Sequence, residues 1–153
     1  MERIAFNQIP KEMVAQLMAM ETYLNTSIED MQLLELMRLR VAQINKCGYC
    51  IDMHFKELRH AGETDLRINM LSIWKETSFF TVKEMAVLAF TEALTEISHH
   101  EISDAMYQEL SSYFSTEEIC NLTAAIAQIN TWTRLVRTFK FTPGNYQVTN
   151  NRG

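Results

Sequence analysis

The chain has 153 residues, 47% hydrophobic and 22% charged, with only 4 glycines and 2 prolines. That composition belongs to one soluble globular domain; it excludes collagen-like, low-complexity and disordered chains, and the scarcity of turn residues argues against an all-β fold. With 14 basic and 19 acidic residues the net charge is −5, and the scattered cations form no stripe that could neutralise phosphates, so nucleic acid is not an expected partner.

Cap signals and apolar spacing predict about six helices and no strands. Pro10 opens the first, with Met13, Leu17, Met20 and Leu24 on one face. The second begins at Ser27, with Asp30 three residues on as a loose capping box, and carries Leu34, Met37, Val41 and Ile44 to about Asn45. A third starts at the Cys47-Gly48-Tyr49-Cys50 turn, carries Met53 and Leu58, and stops at Gly62. A shorter helix runs from about Asp65 to Lys75 behind a Thr64 cap, with Ile68, Leu71 and Trp74 on one side. Thr81-Val82-Lys83-Glu84 is a capping box before a helix reaching about Ser98. Ser103 or Asp104 starts a short helix to about Tyr113, and Ser115-Thr116-Glu117-Glu118 opens a long one to about Phe139. Pro143-Gly144 and a polar tail follow. No Gly- or Ser-rich linker interrupts the series, so residues 1–153 read as a single all-α domain, a helical bundle.

Met1–Asn7 offers no basic region followed by an apolar run, and the longest uncharged stretch, Ile119 to Thr133, carries Asn121, Thr123, Gln128, Asn130 and Thr131. Neither a secretory signal nor a membrane span is expected, which places the chain in the cytoplasm with its thiols reduced. Three cysteines are too few for a disulfide scaffold, so a conspicuous pair reads as catalytic or metal-binding.

Cys47 and Cys50 are such a pair. Three residues apart, with Cys50 in a first helical turn, their sulfurs can approach and close a disulfide. A helix N-terminus favours thiolate over thiol, and His54, four residues beyond Cys50 on the same face, can take its proton or stabilise the thiolate; both point to Cys50 as the attacking sulfur. Glu35 sits in the apolar run Leu33-Leu34-Glu35-Leu36-Met37. The plain reading turns it to solvent between apolar neighbours. The alternative is a partly buried carboxyl with a raised pKa that relays protons to or from Cys47. A zinc site is the rival for the cysteines, with Cys47, Cys50 and His54 joined by Cys120, His60, His99 or His100, although no matching knuckle supplies a second ligand pair. A thioredoxin-like site would need a βαβ setting that the sequence lacks.

Glu35, Cys47, Cys50 and His54, spaced E-x11-C-x2-C-x3-H, resemble the active-site signature of the AhpD-like alkylhydroperoxidases within the carboxymuconolactone decarboxylase superfamily. The segments Glu84–Thr95 and Ile129-Asn130-Thr131-Trp132-Thr133-Arg134 resemble later helices of that family, so the likeness covers roughly residues 15–140. The resemblance implies an all-α fold that assembles into trimers or hexamers, and a peroxide-reducing dithiol that needs no metal or haem. It makes Cys50 the peroxidatic thiol and Cys47 the resolving one. It also makes His54 the base beside Cys50, and Glu35 the acid or base serving the other thiol. The implied reductant is a dithiol such as a dihydrolipoyl protein or a thioredoxin-like protein, which must reach Cys47 first. One position departs. The best-known AhpD members carry histidine immediately before the second cysteine, completing a proton relay, where this chain has Tyr49, an accessory group whose pKa near 10 suits it poorly to shuttling protons at neutral pH. The superfamily's decarboxylases lack the cysteine pair, which leaves a lyase that ignores the thiols as the other alternative.

Elsewhere plainer roles are expected. Cys120 reads as a small buried apolar residue, Asn130 and Trp132 as packing residues, and His99-His100 as cations at a helix end, with Arg134 free to pair or to shape the site. Met13, Met18, Met20, Met31 and Met37 load two adjacent helices with apolar area of the kind a subunit interface buries.

Overall fold

Seven α-helices and no strand make up residues 1–149, the part of the chain that the computed structural model describes. Positions 150–153, the end of the expected polar tail, lie outside the described residues. The helices are α1 (Lys11–Ser27), α2 (Met31–Ile44), α3 (Gly48–His60), α4 (Asp65–Met70), α5 (Val82–Thr95), α6 (Asp104–Ser111) and α7 (Thr116–Phe139). Local chemistry sets most of their starts. Thr81 with Glu84 and Ser115 with Glu118 close reciprocal capping boxes at α5 and α7, and Ser103 and Thr64 cap α6 and α4.

Three boundaries differ from those expected. Asp30, not Ser27, caps α2 by accepting from the Leu33 amide, because the first helix runs on through Ser27 itself. The helix after Thr64 ends at Met70 and gives way to a 3-10 stretch, Leu71–Glu76, in which Ile73 leaves helical dihedrals; that kink lets both Leu71 and Trp74 reach the core. α5 stops at Thr95, and the turn beyond it carries the exposed His99 and His100, whose amides bond back to the Glu96 carbonyl.

α2 is the axis of the molecule. From Leu33 to Ala42 all but one of its residues are buried, including Glu35 and Arg38, so it is covered all round rather than along one stripe. Leu34, Met37 and Val41 face α5 and α7 in a core completed by Leu24, Val87, Leu122 and Ile126, while Leu36 and Leu39 pack with Leu58, Leu71 and Trp74 beneath α3. α1 lies along α7, tied there by Tyr23 Oη donating to Asn121 Oδ1 at 3.0 Å and Gln128 Nε2 donating to the Leu17 carbonyl at 2.8 Å. Its outer face leaves Met13, Met18, Met20 and Tyr23 exposed, whereas Met37 is fully buried and Met31 partly so. Among the described residues no helix is long and apolar enough to cross a membrane.

Candidate active site

α2 turns into α3 through a helix-ending motif in which the Cys47 amide donates to Ala42 O and the Lys46 amide to Gln43 O, each at 3.0 Å. The motif needs one left-handed residue, and Lys46 provides it with φ 52°. Cys47 then plays two parts at once: it closes α2 and caps α3, its Sγ accepting from the Cys50 amide at 3.4 Å. The turn is held from outside by α7. Asn45 Nδ2 donates to Asn130 Oδ1 at 2.9 Å and Thr133 Oγ1 at 3.0 Å, and Arg137 donates to the Asn45 carbonyl at 2.9 Å. Asn130 thus braces the cysteine turn rather than merely packing, and Arg134 donates to its Oδ1 at 2.9 Å.

Cys47 and Cys50 are joined by a disulfide with their Cα atoms 5.3 Å apart. Both are 1% exposed, packed with Ala42 and Val136 and with the partly buried Tyr49, Ile51 and Phe141. The Tyr49 ring meets Phe141 edge-on at 6.2 Å. Burial, followed by the charges of Asp52 and Glu2, pushes the Tyr49 phenol above its ordinary pKa, so it stays protonated at neutral pH. Phe141 belongs to the segment after α7, which folds back over α3: the Gly144 amide donates to Asp52 Oδ2 at 3.0 Å and Lys56 Nζ to the Tyr146 carbonyl at 2.9 Å.

His54 follows Cys50 by one turn, 2% exposed, with Nδ1 2.8 Å from Glu35 Oε2. Its Nε2 is buried and has no hydrogen-bond partner. Glu35 is itself 3% exposed, which overturns the expectation of a solvent-facing carboxylate. The alternative of a raised pKa is overturned as well. Burial pushes the Glu35 carboxyl up, but the charges and hydrogen bonds of His54 and Arg38 outweigh it and bring it down to about 2. Its two oxygens bond Arg38 and His54. Arg38 escaped the sequence reading although its i,i+3 spacing from Glu35 was visible.

The remaining zinc candidates lie apart: Cys120, His60, His99 and His100 are all exposed, and no three His, Cys, Asp or Glu side chains among the described residues gather as a metal site. Exposure of Cys120 corrects the expectation that it is buried. The buried stripe of α7 runs through Ile119, Leu122, Ile126 and Ile129, and Cys120 falls on the outer face with Ala127 and Arg134.

Residues 11–93 match the carboxymuconolactone decarboxylase family. The uncharacterized protein YdfG of Bacillus subtilis (strain 168) is 34% identical over 134 residues, spanning 88% of this chain and 91% of its own length. A solved structure from Agrobacterium tumefaciens, of a protein of unknown function named as a candidate antioxidant defence protein AhpD, superposes with a TM-score of 0.90 at 35% identity, over 95% of this chain and 100% of that one. An uncharacterized peroxidase-related protein from Silicibacter sp. TM1040 shares the fold, with a TM-score of 0.79 at 22% identity over 89% and 72% of the two chains.

Proposed function

The chain belongs to the carboxymuconolactone decarboxylase family and has its AhpD-like helical fold, and on that premise we propose that it is a thiol-dependent peroxidase, a disulfide oxidoreductase that reduces hydroperoxides through Cys47 and Cys50. One observation carries the reading: a disulfide on the first turn of α3 stands one turn before an imidazole that is oriented by a buried carboxylate and has its other nitrogen free. The name of the Agrobacterium relative supports it.

In the reduced protein the Cys50 thiol passes its proton to His54 Nε2, and the positive end of α3 and the Glu35 anion stabilise the resulting thiolate–imidazolium pair. The thiolate attacks the terminal oxygen of the hydroperoxide. The O–O bond breaks, Cys50 becomes a sulfenic acid, and the departing alkoxide takes the proton from His54 to leave as the alcohol. Cys47 then attacks the Cys50 sulfur, its proton leaving with the hydroxyl as water, and the disulfide of the present structure forms. A dithiol donor, a dihydrolipoyl or thioredoxin-like protein, returns two electrons and two protons by exchange through Cys47. We further propose that the protein acts as a homotrimer or homohexamer, for which the exposed methionines of α1 are the first surface to cover.

The test is hydroperoxide consumption with dihydrolipoamide as reductant. Wild type turns over and Cys50→Ser does not. Cys47→Ser reacts once and stalls at the sulfenic acid. Hydroperoxide left unconsumed by the reduced wild type replaces this reading with the lyase of the same superfamily, in which the thiols take no part and His54 moves a proton at carbon.

A further inference from the structure

Glu35 does not meet His54 alone. Its Oε1 accepts from Arg38 Nη1 at 2.9 Å, the same nitrogen donates to Asn25 Oδ1 at 2.9 Å, and Arg38 Nη2 pairs with Glu21 Oε1 at 2.7 Å. Arg38 is as buried as Glu35, at 3% exposed, while the Glu21 side chain is 21% exposed and meets solvent. Four charged or titratable groups thus run in contact from the surface of α1 through α2 to α3: Glu21, Arg38, Glu35 and His54.

Arg38 ties α1 to α2 through Glu21 and Asn25, but that tie does not by itself call for a buried guanidinium. Leu34, Met37 and Val41 already fill the neighbouring positions of α2, and burying an ion there is expensive next to burying one more apolar side chain. Resting on the peroxidase reading above, we infer that Arg38, braced by Glu21, is a positioning residue for that reaction: it holds Glu35 as an anion with one oxygen left for His54, which keeps a proton on Nδ1 and makes Nε2 the nitrogen that exchanges a proton with the thiol. Without the guanidinium, burial favours the neutral carboxylic acid: Glu35 takes a proton from solvent at a higher pH and donates it to His54 Nδ1, and the ring's own proton moves to Nε2. Nε2 is then no longer reserved for Cys50. With the guanidinium in place, protonating Glu35 gives up its attraction to the buried Arg38 cation, so it is opposed.

The experiment follows the histidine ring nitrogens and the Glu35 carboxyl carbon by NMR from about pH 2 to neutral, on the disulfide form, where no turnover intervenes. In wild type the Nδ1 proton stays in place and Glu35 remains ionised down to about pH 2. In Arg38→Gln the Glu35 midpoint rises by roughly one to three pH units, and the ring proton moves from Nδ1 to Nε2 as the carboxyl protonates. Arg38→Lys restores most of the wild-type pattern, because it returns the charge, and Glu21→Gln moves the same signals in the same direction by less. A folded Arg38→Gln with the wild-type midpoint and tautomer overturns the inference. Should that variant not fold, unchanged signals in Glu21→Gln overturn it instead. Hydroperoxide turnover by Cys50→Ser breaks the peroxidase reading while leaving these shifts untouched, so the two failures are told apart.

Discussion

Glu35 and Glu92 are two carboxylates bonded to arginines of the same helix, and they do different work. Glu92, on α5, takes Arg40 Nη2 at 2.7 Å, Trp74 Nε1 at 2.8 Å and Lys75 Nζ at 2.8 Å. Burial would raise its pKa, but these three donors bring it below the usual carboxylate value. Each donor is a group that holds its proton at neutral pH, and the cluster ties α2, α5 and the 3-10 stretch together. Glu35 is also held below the ordinary value, yet one of its partners is an imidazole whose far nitrogen is buried and unpaired, one turn beyond the disulfide. A saturated knot fixes helices. The proposed function gives the second arrangement, which ends on an unpaired histidine nitrogen, the task of moving a proton.

The comparison can be broken in several ways. Arg38→Met leaves Glu35 buried beside His54 without its cation and should cost about 3–5 kcal/mol in chemical denaturation, whereas Arg40→Met, at the half-buried knot, should cost about 1 kcal/mol. Equal losses would erase the distinction. His54→Gln keeps the fold but removes the base, so the rate at which Cys50 consumes hydroperoxide should fall about 10²–10⁴-fold, while Lys75→Met should leave that rate unchanged. The pH dependence of stability sharpens the contrast further. Glu35 is lowered from 4.5 to about 2 on folding, so its contribution is full above about pH 4.5 and is lost as pH falls toward 2. Denaturation midpoints should therefore drop through that window, and in Glu35→Gln the drop should be visibly shallower. The smallest effect belongs to the turn outside both clusters. α3 ends in the same bonding pattern as α2, but with Gly62 at φ 96° where α2 uses Lys46. Lys46→Gly relieves a left-handed side-chain residue and should stabilise the protein by about 1 kcal/mol without altering thiol reactivity.

Much of the fold was legible because its signals are local. A capping box such as Ser115 with Glu118 is written within four residues, and α7 begins where that box places it. Gly62 likewise marked the end of α3. Errors arose where a distant contact decided. The 3-10 stretch after Met70 and the start of α2 at Asp30 depend on what the neighbouring segments bury and bond. At the site, the Cys47–Cys50 spacing and the one-turn step to His54 could be read from the chain, but the depth of Glu35 could not, because it is set by packing between helices, with His54 of α3 meeting one oxygen. Arg38 was overlooked for the same reason. On a helix covered on every side, no periodicity separates a buried charge from a surface one.

The most direct test of the central claim is intact mass and free-thiol count on the fully reduced protein, before and after one equivalent of hydroperoxide with no reductant present. The account predicts that wild type loses two mass units and falls from three free thiols to one, the exposed Cys120 remaining, while Cys50→Ser forms no Cys47–Cys50 bond. Wild-type thiols left untouched by the hydroperoxide would contradict it.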